Sequence, residues 1–150
     1  MISEYQGNDR RSSSREKLDV LVSARTSTLT LLTKLASRRP FNPEPSVEKA
    51  LREFCEALID YTASAHFHLY RYLADRRERR QSVLEIADKL YPKIVETTDQ
   101  ILRFNDKYES MSLENSVEFL AEDLSHLGEC LADRIQLEDQ VILAMGGSVH

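Results

Sequence analysis

Between Leu113 and Leu131 apolar residues return at alternating steps of four and three: Leu113, Val117, Leu120, Leu124, Leu127 and Leu131. That rhythm places all of them on one face of an α-helix, whereas a strand would scatter them over both of its faces. Continued, the count falls on Arg134 and Glu138 before it turns apolar again at Val141 and Met145. The chain thus commits to a long helix whose inward stripe carries two charges, and unpaired charges are not tolerated there. Gly146 and Gly147 supply the stop.

Three further segments share the rhythm. Ser13 and Glu16 form a capping box ahead of Leu18, Leu21, Val22, Leu29, Leu32 and Leu35, a first helix ending near Arg38. The stretch RRPFNPEPS, with three of the four prolines, separates it from a second helix capped by Ser46 and running from Val47 to about Arg80. This second helix has two apolar stripes. One is Leu51, Phe54, Leu58, Tyr61, Ala65 and Leu69, the other Cys55, Ile59, Thr62, His66 and Tyr70, which predicts packing on two sides. A third helix opens at the capping box of Ser82 and Glu85 and continues through Leu90, Ile94, Ile101 and Leu102; Pro92 inside it predicts a kink. Twenty leucines against eight valines and seven isoleucines, and only four glycines, favour helices over a many-turned β fold. The expected fold is all-α: an antiparallel four-helix bundle with a long, doubly packed second helix and a kinked third.

A chain of 150 residues fits one domain. Residues 1–13 are too polar to offset the entropy of ordering them and are expected to be a flexible tail, leaving residues 14–147 as the bundle. Cys55 and Cys130 lack metal-ligand spacing and read as small buried hydrophobes. The amino terminus has no signal-peptide core, and no apolar run approaches the ~18 residues of a membrane span. A cytoplasmic protein without a membrane partner is expected.

The formal charge of −5 is unevenly spread: residues 1–40 hold eight basic and four acidic side chains, residues 109–140 one basic and nine acidic. The last helix therefore has an acidic outer face, either a solvated surface or one that steers a basic partner. The run RRERR at 76–80 suits the negative end of a helix dipole. With no interleaved aromatics and a negative chain, direct nucleic-acid binding is not expected. Gly-rich phosphate loops, HExxH and GxSxG are all missing, which argues against an enzyme. His66 and His68 point to different sides of a helix and His126 has only Asp123 and Glu129 at helical spacing, so neither a metal nor another cofactor is expected.

A set of polar residues nevertheless occupies inward-looking positions: Asp60, Tyr61, Ser64, His66 and Tyr70 on the second helix, Arg134, Glu138 and Asp139 on the fourth. They read either as a satisfied buried network or as the lining of a partner-binding groove. Arg134 is expected to meet Asp60, directly or through Glu138. His66 is expected to hydrogen-bond beside Ser64 and Tyr70.

The stretch LREFCEALIDYTASAHFHLYRYL resembles the signature of the regulator-of-sigma-D (Rsd/AlgQ) family of anti-sigma factors, through Phe54, Cys55, Leu58, Asp60, Tyr61, His66, Phe67 and Tyr70. Tyr91 and Pro92, and then Gly128, Glu129, Leu131, Arg134, Leu137, Glu138, Asp139 and Ile142, extend the resemblance over roughly residues 15–145. Ala65 stands where the family has glycine, and Arg71 where it has glutamate. The resemblance implies a helical bundle that sequesters the primary sigma factor of RNA polymerase by its carboxy-terminal, promoter-reading domain. A haemerythrin-like metal bundle, or a phosphotransfer module working with a phosphocarrier protein, are the alternatives from other classes.

Overall fold

The computed structural model describes residues 2–70, 80–110 and 112–146, with side chains from Glu16 onward except that of Lys17. Among the described residues the protein is all-helical, with four α-helices and no strand. Helix α1 spans Ile2–Ala36, α2 Pro45–Ala65, α3 Gln81–Ser110 and α4 Leu113–Ala144. A π-helical turn, His66–Tyr70, continues α2.

Helix α1 begins at Ile2, within the segment set apart in the sequence as residues 1–13. At α2 the expected cap Ser46 is displaced: Glu44 is the N-cap, with no side-chain cap bond, and Pro45 takes the first helical position. There its missing N–H costs nothing and its fixed φ suits the helix. Pro92 does not interrupt α3, which runs unbroken to Ser110. Pro92 and Asp88, four residues before it, are both exposed, so the carbonyl that the proline leaves unpaired faces water. Gly146, with φ of +83°, closes α4 in the left-handed conformation that glycine adopts without strain. The second helix's expected continuation over 71–79, with Arg71 and most of the RRERR run, lies outside the described residues.

Helix α1 packs along α2, and α3 along α4. Thr28 of α1 donates to the Ala57 carbonyl of α2 at 3.1 Å, and Cys130 of α4 to the Thr97 carbonyl of α3 at 3.5 Å. The core runs through all four helices: Leu21 and Leu35, then Phe54 and Leu58, Ile94 and Ile101, and Leu120, Leu124 and Leu131 are buried. Phe54 meets Phe104 edge-on at 6.1 Å, joining α2 to α3. Only the first stripe of α2 is buried in this way. Along the second, Cys55, Ile59 and Thr62 are half-buried, His66 is exposed and Tyr70 is buried, so among the described residues α2 is fully covered on one side and only partly on the other.

Candidate functional site

The two charges on the inward stripe of α4 are indeed interior. Arg134 is 1 % and Glu138 0 % exposed, and they pair one turn apart, Nε to Oε2, at 3.1 Å. Neither depends on that bond alone. Glu138 accepts from the hydroxyl of Tyr61 at 2.5 Å and from that of Tyr70 at 3.0 Å, one on each carboxylate oxygen. Arg134 also donates from Nε to the Tyr61 hydroxyl at 3.1 Å, and from Nη1 to Thr97 and Thr98 of α3 at 3.2 and 2.7 Å. Its guanidinium lies 5.4 Å from the Tyr61 ring centre and 5.9 Å from that of Tyr70, within the range of cation–π attraction. Burial, and then the Glu138 carboxylate, push both tyrosine hydroxyls far above their ordinary titration range, so they act as donors.

Arg25 of α1 completes this polar tier. It donates to Asp139 at 2.8 Å and lies 3.6 Å from Glu138. Two guanidinium groups thus face two carboxylates, and the tier is neutral as a whole. All four helices contribute, each from the stripe that elsewhere supplies apolar core. Such an arrangement stabilises only while it is complete, because stripping one partner strands a buried charge.

Of the residues singled out in the sequence, Tyr61, Tyr70, Arg134 and Glu138 form this tier and Asp139 sits at its rim. Asp60 does not join it. It lies one residue, about 100° of helix, from the inward Tyr61 and is exposed, so Glu138, Tyr61 and the two threonines satisfy Arg134 instead. His66 is also exposed; among the described residues its neighbour is the ring of Phe67, edge-on at 5.3 Å, and it makes no hydrogen bond to Ser64 or Tyr70. Ser64 has a buried hydroxyl without a partner among the described residues. Arg25, Thr28 and Thr97 were missed, although a signal existed. From Leu18 and Leu21 the same count reaches Arg25 and Thr28, and from Leu90 and Ile94 it reaches Thr97.

Asp60 instead borders a groove of about 870 Å³ between α2 and the junction of α3 with α4. Glu48, Glu56 and Glu109 line it too, over an apolar floor that includes Cys55, Ile59 and Leu113. Its one lining cation among the described residues, Arg52, is paired with Glu48 at 3.2 Å. Burial first, then Glu109 and Glu56, push the Cys55 thiol up to about 12. Along the outside of α4, Glu114, Glu118, Glu122, Glu129 and Asp133 are all exposed, and His126, 3.6 Å from Glu122, falls in the same row. Among the described residues no group of three or more His, Cys, Asp or Glu side chains is placed to hold a metal ion, and no helix is long and apolar enough to cross a membrane.

A family model described as "Regulator of RNA polymerase sigma(70) subunit, Rsd/AlgQ" matches residues 1–146. The chain belongs to the Rsd/AlgQ family. Relatives named Regulator of sigma D bear this out at the level of whole sequences. The protein of Pectobacterium atrosepticum is 31 % identical over 146 residues, covering 94 % of this chain and 92 % of its own. That of Yersinia pseudotuberculosis is 31 % identical over 133 residues, 86 % of this chain and 79 % of its own. That of Yersinia enterocolitica is 37 % identical over 100 residues, 65 % of this chain and 60 % of its own, so this match spans less than two thirds of that relative. Membership makes the chain a regulator of the sigma(70) subunit.

Proposed function

We propose that the protein is a cytoplasmic anti-sigma factor that catalyses no reaction. It binds the primary sigma factor through the sigma carboxy-terminal, promoter-reading domain and keeps it from core RNA polymerase by mass action. The folded unit in this reading is an antiparallel four-helix bundle over residues 14–147. The observation that carries the proposal is the family match over residues 1–146. Charge supports it: a promoter-reading helix-turn-helix domain presents a basic surface, and the acidic row of α4 and the acidic groove beside α2 offer complementary potential. Asp60, on the groove, is the member of the polar set placed to meet that partner. Tyr61, Tyr70, Arg134 and Glu138 act from the interior by holding the helices that present it.

Calorimetric titration of the purified protein with the isolated sigma carboxy-terminal domain tests this. One-to-one binding is expected, weakened at least tenfold in Asp60→Arg while the fold persists. Absence of binding by the wild type would sink the reading.

A further inference from the structure

The bonds of the polar tier that join one helix to another are of two kinds. Arg134 to Thr97 and Thr98 joins α3 to α4, helices already packed along each other. The others cross from the α1 and α2 side to α4: Arg25 to Asp139 and Glu138, Tyr61 and Tyr70 to Glu138, and Arg134 to Tyr61. All of these crossing bonds converge on three residues of α4, at positions 134, 138 and 139. The seam between the two helix pairs is therefore fastened at this level by directional polar bonds rather than by apolar packing alone. Next along α2 comes the groove, and the two features touch: Tyr61 belongs to the tier and Asp60 to the groove wall. Cys55 and Ile59, half-buried on the second stripe of α2, form the floor of that groove.

We infer that the polar tier is a clasp between the α1–α2 and α3–α4 pairs, and that its crossing bonds set the aperture of the acidic groove. Losing one crossing bond frees α2 to swing from the α3–α4 junction and widens the groove. Bonds inside the α3–α4 pair have no such leverage. What the aperture means for a partner rests on the reading of the groove given above, but the clasp does not. A measurement on the protein alone keeps the two apart.

Cys55 lies in the groove and reports on it, while Cys130, buried between α3 and α4, serves as an internal reference. The probe is 5,5′-dithiobis(2-nitrobenzoic acid), with the modified cysteine identified by peptide mass. Asp139→Ala removes the partly exposed end of the Arg25 bond, and Tyr70→Phe removes one hydroxyl from Glu138; both are expected to speed Cys55 modification about tenfold and leave Cys130 unchanged, as a local opening does. Thr98→Val, which cuts a bond inside the α3–α4 pair, is expected to leave the Cys55 rate at the wild-type value. Equal Cys55 rates in wild type and both crossing-bond variants would overturn the inference. So would an equal rise in Thr98→Val, or a joint rise of Cys55 and Cys130, since these report general loosening.

Discussion

Arg134 makes four side-chain hydrogen bonds, and its surroundings explain why an arginine can stand in a leucine stripe. The planar guanidinium spreads its charge over Tyr61, Glu138 and the two α3 threonines, and the rings of Tyr61 and Tyr70 face the cation. Arg134→Met keeps the volume and leaves Glu138 with Arg25 and the two hydroxyls. Breaking one side of a buried pair costs about 3–5 kcal/mol, which at ~2–4 °C per kcal/mol for a chain of this size lowers Tm by roughly 10 °C. The double variant Arg134→Met with Glu138→Leu is expected to be more stable than the sum of the two single losses implies, by at least ~1 kcal/mol, because no charge is left unmatched between them. Thermal melts of the four proteins measure this coupling, and additive losses would show that the pair is not coupled.

At the scale of the element, the junction of α3 with α4 depends on an ionised carboxylate. Asp123 accepts from the Lys107 ammonium at 2.7 Å and from the Tyr108 hydroxyl. Burial by itself would raise its pKa; the bonds from Lys107 and Tyr108 and the nearby positive charge outweigh burial and hold it below the usual 3.8. A carboxyl depressed in the folded state contributes stability that is complete above 3.8 and lost as pH falls through its folded value. Asp123→Asn is therefore expected to lose about 1–2 kcal/mol near neutral pH, the order of two partly exposed charge-assisted bonds, and the gap to wild type should close in acid. Urea midpoints across the acid range check it; a gap that stays constant would mean the loss is steric. The same scale shows what the sequence could and could not reveal. Counting by threes and fours found most of the inward faces of α1, α3 and α4 because those helices keep 3.6 residues per turn, although Leu29 and Leu102, assigned to those stripes, are exposed. It misjudged the end of α2, where the wider π turn brings Tyr70 back onto Glu138 and leaves His66, four residues earlier on the same regular stripe, in water. Nothing in the local pattern HFHLY announces that turn. Asp60 is read as inward together with the rest of the polar set, although the count itself passes from Leu58 to Tyr61.

For the whole molecule the dominant feature outside the core is the row of carboxylates on α4. From Glu114 to Asp133 it spans about 28 Å at 1.5 Å per residue, several Debye lengths at physiological salt, where the screening distance is ~8 Å. Such a row acts on an approaching basic domain before contact, so its effect belongs to the association rate, whereas the bonds formed on docking set how long the complex lasts. Replacing Glu114, Glu118 and Glu122 by glutamine removes three charges from the exposed row and none from the tier, so the fold and the docked contacts are expected to persist. Stopped-flow association with the sigma carboxy-terminal domain should then show a wild-type on-rate that falls as salt rises, and a triple-variant on-rate several-fold slower at low salt with a shallower dependence. Dissociation rates should agree within about twofold. An on-rate that ignores both salt and the three substitutions would assign this charge to solubility alone and place the recognition of a basic partner in the groove beside α2.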